Sequence, residues 1–222
     1  FGTENGLAKD PQKTLDTLRG GDQFQIEFNG LSSANQTLVN NLLKIVFPGL
    51  DLLDADGLSV TDAQILTDNG FFTDPATAIQ NALGIARFLG AFVIQSPSDK
   101  SNIQAIMFSL YGVRIQNDGS IGLPDYKILS DSGFGLDRNN LARDGVTTIT
   151  ILIESLRLRD IYDLLTTDQR SRVNVVTQLL GFDLSNGLDV TDITAMADNG
   201  VFINADGTAR NATDAMSFFI AV

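Results

Sequence analysis

Two stretches of this 222-residue chain, GLSVTDAQILTDNGFF at 57–72 and GLDVTDITAMADNGVF at 187–202, agree at nine of sixteen positions without a gap. Such self-similarity confines a chain to architectures in which one supersecondary unit recurs and stacks on its neighbours. A third, looser copy, SIGLPDYKILSDSGFGLD at 120–137, sets Leu129, Asp131, Gly133 and Phe134 where the first has Leu66, Asp68, Gly70 and Phe71. Ahead of each copy, apolar residues recur at helical spacing. They are Leu38, Val39, Leu42, Leu43, Val46 and Phe47, then Ile103, Ile106, Met107, Leu110 and Tyr111, then Val173, Val176 and Leu180. A further apolar stretch follows each copy, at 76–94, 139–158 and 208–222. The pattern predicts an all-α fold of three degenerate repeats, each about 65 residues of helix, loop, short helix, turn and helix. They occupy 33–96, 97–160 and 161–222, behind an N-terminal arm, 1–32, and pack as one globule.

Local chemistry explains the shared positions. Thr61 with Gln64 three residues on reads as a capping box, Asp62 suits the positive end of a helix dipole, and Thr191 with Asp192 repeats the device. In the middle copy Pro124 and Asp125 open the helix instead. Asn69-Gly70 and Asn199-Gly200 supply the left-handed stop, after which Phe72 and Phe202 turn inward as anchors. VTTITILIES at 146–155 is β-branched, yet its place in the unit and the spacing of Ile149, Leu152, Ile153 and Leu156 make it helix. In the arm, DPQKTLDTLRGG reads as a short helix ended by Gly20-Gly21. DQFQIEFNG, alternating Phe24, Ile26 and Phe28 with polar residues, reads as a strand available for pairing with another molecule.

The acids point the same way. The 27 acidic residues are 24 Asp and only 3 Glu, and Asp belongs at caps, turns and hard cations rather than on helix surfaces. A net charge of −12 repels nucleic acid and anionic membranes and attracts cations or a basic partner. The chain has no Cys and no His, so it lacks thiolate chemistry, disulfides, the commonest general base and the commonest transition-metal ligand. No apolar run approaches the ~20 residues of a membrane span. Position 1 is Phe and no signal segment follows, so either a processed mature form or an excised fragment is expected, with export, extracellular or at the cell surface, as the favoured location.

One segment carries candidate metal ligands. In DLLDADGLSVTD, Asp54, Asp56 and Asp62 are hard oxygen donors around an Asp-Gly turn, and the stretch resembles EF-hand-type and dockerin loops, which set acids and glycine ahead of a helix. The register does not match: with Gly57 in the glycine position, the first ligand falls on Leu52. DLSNGLDVTD, the third copy, sets Leu184 and Asn186 opposite Asp54 and Asp56. A solvated turn is therefore favoured over a calcium loop. SGFGLDR at 132–138 lacks the third glycine of a dinucleotide site.

Catalysis would rest on Asp, Ser, Tyr or Lys alone, so no catalytic residues are assigned and the chain is not expected to be an enzyme. Fourteen Phe against three Tyr make an apolar aromatic set, suited to packing or to a cavity between helices. The expected function is a non-catalytic extracellular or surface structural or interaction module that self-associates or binds another protein, with Ca²⁺ as the candidate ion. The alternative is a carrier holding an apolar small molecule, a lipid or pigment, between its helices. Since the three joints share their structural residues, function is expected in what they do not share.

Overall fold

Side-chain oxygens open most of the helices and left-handed glycines close the short ones. The computed structural model describes residues 3–4, 7–8, 11–54, 57–204, 206 and 208–221. Among them the order is α1 (Pro11–Gly30), α2 (Ser33–Val46), α3 (Val60–Asp68), α4 (Pro75–Val93), α5 (Pro97–Tyr111), α6 (Leu123–Asp131), α7 (Gly145–Asp163), α8 (Thr167–Leu179), α9 (Val190–Asp198) and α10 (Ala212–Ala221). The fold is all-α. A two-residue antiparallel pairing, Thr3–Glu4 with Leu7–Ala8, precedes α1.

Short polar side chains cap these helices at recurring places. Ser32, Ser96 and Thr166 cap α2, α5 and α8, each accepting from the backbone N–H three residues on. The short helices α3 and α9 start with capping boxes, Ser59 with Asp62 and Asp189 with Asp192. The expected cap was Thr61 with Gln64, and Thr191 in the later copy. The true caps lie two residues earlier, because the carboxylates of Asp62 and Asp192 reach back to the cap N–H groups. Helix α6 opens with Pro124 in its first turn, as expected. Gly70, Gly133 and Gly200, at φ of 81°, 66° and 62°, end α3, α6 and α9.

The chain divides into two compact units, Phe1–Arg87 with Ser120–Ala142, and Phe88–Gly119 with Arg143–Val222. The core of the first is aromatic. Phe71 meets Phe24 and Phe47 edge to face at 6.0 and 5.7 Å, and stacks on Tyr126 at 6.2 Å. In the second unit α7 packs against α5, α9 and α10, and α10 also lies on α8. Ile103, Met107, Leu158, Val173, Leu184 and Met196 are fully buried there. The β-branched stretch 146–155 is indeed helical, within α7. Helix α4 has the length and apolarity of a membrane-crossing segment, but 61% of that window is buried, with Phe88 and Phe92 fully enclosed.

The strand expected at 22–30 is helix, and Gly20-Gly21 do not end α1. Phe24 and Phe28, four apart, share one helical face and are each 1% exposed, whereas Ile26 is 64% exposed. Packing also explains the glycine at 20: a Cβ there would stand 2.4 Å from the Cβ of Phe72. Phe72 is therefore half-buried against α1 while Phe71 beside it is buried; in the later copy both Val201 and Phe202, their counterparts, are buried. Gly84 on α4 repeats the close approach, since its Cβ would lie 2.8 Å from the carbonyl oxygen of Gly135.

Two predictions test this packing. Gly20→Ala and Gly84→Ala should each destabilise by ~1–3 kcal/mol through overpacking, more than the helix propensity they gain. Gly21→Ala, whose nearest neighbours stand at 3.6 Å, should instead stabilise by about 0.5–1 kcal/mol. Urea denaturation of the three variants reads the opposite signs. Asp62→Ala should cost about 1–3 kcal/mol in the same assay, because it strands the N–H groups that the carboxylate holds.

Candidate functional site

Among the described residues, each unit carries a cleft with polar side chains in its wall. In the first unit a cleft of about 360 Å³ opens where the turn after α3, the start of α4 and the face of α6 converge. Its floor is the aromatic trio Phe47, Phe71 and Tyr126. The wall from α4 and its lead-in carries Thr73, Asp74, Thr77 and Asn81, and the wall from α6 carries Lys127, Ser130 and Asp131. Asp74 caps α4 by accepting from the Thr77 N–H at 3.2 Å. Asp131, the last residue of α6, makes no hydrogen bond or ion pair with the described residues.

Two polar atoms in this wall are buried and unpaired. The Asn81 carbonyl oxygen and the Tyr126 hydroxyl make no hydrogen bond, on residues 7% and 2% exposed. Such an orphan costs ~1–3 kcal/mol. Burial drives the Tyr126 phenol pKa well above its ordinary value of 10.0; the nearby Ser130 side chain opposes the rise and the Asp131 charge adds to it. At neutral pH the group is therefore a neutral hydroxyl, not a base.

Asp198, which ends α9 as Asp131 ends α6, behaves differently. It accepts from the Arg143 guanidinium at 2.5 Å, with the Arg143 side chain 14% exposed. Arg143 directly precedes Asp144, the cap of α7. In the second unit a cleft of about 560 Å³ lies among α5, α7 and the loop before α9. Half-buried Leu110, Ile153, Leu156 and Leu188 line it, beneath a rim of Asp99, Asp160, Asp163, Arg157 and Arg159.

The candidate metal ligands are placed as follows. Asp62 is 5% exposed and commits its carboxylate inside the joint. Its Oδ1 accepts from the Asp51 N–H at 3.3 Å, and its Oδ2 from the Ser59 N–H at 3.1 Å and the Ser59 hydroxyl at 2.6 Å. Asp54 is exposed, and Asp56 lies outside the described residues. Among the described residues no group of three acids stands close enough to hold an ion.

Asp192 repeats the arrangement, accepting from the Asp183 N–H at 2.8 Å and the Asp189 N–H at 3.0 Å. These bonds make Asp51 and Asp183 equivalent, eleven and nine residues before their partners. The gapless comparison that set Leu184 opposite Asp54 is corrected: buried Leu184 answers to buried Leu52. Both loop acids have depressed pKa values, Asp51 chiefly through the Lys44 ammonium and Asp183 through the Ser185 hydroxyl. Sequence reasoning did not single out Asn81, Tyr126, Thr73 or Asp74, because the cleft joins elements remote in the chain. Asp131 was visible only as a shared repeat position.

With both Asp62 oxygens engaged, millimolar Ca²⁺ should leave the melting temperature unchanged relative to chelator, as read by thermal unfolding. A rise of several degrees would return Asp54, Asp56 and Asp62 to the role of ligands. Compared with known proteins, the chain matches no family model, no curated protein and no solved structure.

Proposed function

We propose that the chain is a non-catalytic interaction module assembled from three copies of a three-helix unit, which works by holding a partner protein rather than by transforming a substrate. The copies are α2–α3–α4, α5–α6–α7 and α8–α9–α10. The helix lengths support this division: 14, 9 and 19 residues, then 15, 9 and 19, then 13, 9 and 10. Helix α1 is better read as a long helix of the same series than as an arm. Its Gly20 meets the residue two past the stop glycine Gly70, as Gly84 of α4 meets the residue two past Gly133.

The observation that carries the reading is the commitment of the joint acids. Asp62 and Asp192 bind backbone N–H groups, as structural residues do, and they compose no acid–base pair. What differs among the joints is the cleft beside α6, with its orphaned polar atoms and aromatic floor. Its size and mixed lining suit recognition of a side chain or small group.

A second reading, a carrier of an apolar molecule, is favoured by the half-buried aliphatic lining of the larger cleft among α5 and α7. Native mass spectrometry of the purified protein separates the two. The interaction module should show the bare chain mass of 23.9 kDa, or multiples and partner complexes of it. A co-purifying lipid or pigment, lost on solvent extraction, would establish the carrier instead.

A further inference from the structure

The residue just before each long helix differs among the joints, and the difference coincides with the cleft. Arg143 precedes Asp144 at the start of α7, and its guanidinium reaches Asp198, the final residue of the next short helix. Arg210 likewise precedes Asn211, whose side chain accepts from the Asp214 N–H at the start of α10. At the start of α4 the same place, before the capping Asp74, is taken by Thr73. The final residue of the next short helix is then Asp131, and Thr73 and Asp131 line one cleft. The chain therefore satisfies Asp198 with its own arginine and supplies Asp131 with none.

We propose that the cleft beside α6 receives a guanidinium group, that of an arginine side chain presented by a basic partner protein, with Asp131 as its counter-ion. The inference rests on the repeat reading above, which makes Thr73 and Arg143 equivalent. The chemistry of the wall fits it independently. A guanidinium offers five N–H donors in a planar fork and no acceptor. The wall offers the Asp131 carboxylate, the unpaired Asn81 oxygen, the unpaired Tyr126 hydroxyl and the free side of Asp74.

Buried acceptors without donors are costly, and a donor-only planar group satisfies them without adding an acceptor of its own. Among the described residues of the wall Lys127 is the one cation, set against two carboxylates, so that lining is net negative. The chain's charge of −12 steers a basic segment towards it and repels anionic ligands.

Isothermal titration of the intact chain with acetyl-arginine methylamide tests the inference, beside free arginine, butylguanidinium and butylammonium. Binding of the capped arginine at about 1 mM or tighter is expected. It should weaken at least ~10-fold in Asp131→Asn, where the charge-assisted pair is lost. It should vanish in Thr73→Arg, where the chain fills its own cleft. Equal binding of butylammonium would overturn the choice of guanidinium, and binding confined to free arginine would overturn the protein source.

The melting temperature of Thr73→Arg separates this inference from the repeat reading beneath it. A rise in Thr73→Arg that disappears in the double variant with Asp131→Asn supports the equivalence of the joints. If that coupling appears while wild type binds no guanidinium probe, the ligand inference falls and the repeat reading stands. If the substitution destabilises and shows no coupling to Asp131, both fall.

Discussion

The arrangement depends on a carboxylate three residues into a short helix. Asp62 and Asp192 each hold two segments by backbone donors, the cap of their own helix and the loop that arrives from the preceding one. A helix of nine residues is too short to be stable by itself. The reciprocal cap and the loop tether supply what propagation cannot. Aspartate suits this place better than glutamate, because its short stem reaches back to the cap without crossing the first turn. The scarcity of Glu in the chain follows from how many of its acids serve turns and caps.

Close approach is the second constraint. Where a long helix passes the exit of a short one, the spacing leaves no room for a side chain at Gly20 or Gly84. Phe71 can then sink into the aromatic core of the first unit, against Phe24, Phe47 and Tyr126. The same tight exit brings the lead-in of α4 beside α6. Polar groups from two remote segments, Asn81 on α4 and Tyr126 on α6, thereby end in one wall with neither having found a partner.

Much of this was legible in the residues. The helical class, the Asn-Gly stops and the helical nature of 146–155 follow from periodicity and turn chemistry, which act within a few residues. The errors share a cause. Thr61 looked like a cap because propensity does not show which oxygen reaches the N–H group, and Ser59 does so because Asp62 answers it. Gly20-Gly21 looked like a stop because isolated glycine weakens a helix, yet packing against Phe72 keeps the helix going. Phe24, Ile26 and Phe28 looked like a strand because residues four apart share a face in a helix as they do in a strand, and only the exposure of Ile26 tells the two apart.

By itself the sequence determined the inventory: short capped helices, an acid-rich set of joints, an aromatic core and no cysteine or histidine chemistry. Those properties are local or compositional, so each residue declares them without its neighbours in space. Only tertiary structure decided which acids are spent and which remain. Asp62 and Asp198 are each satisfied by atoms that the fold brings near, whereas Asp131 faces a cleft lined by Thr73 and Asn81. An ion pair forms where two groups meet in space, and the chain order of Arg143 and Asp198 does not reveal that meeting until the intervening helices have packed.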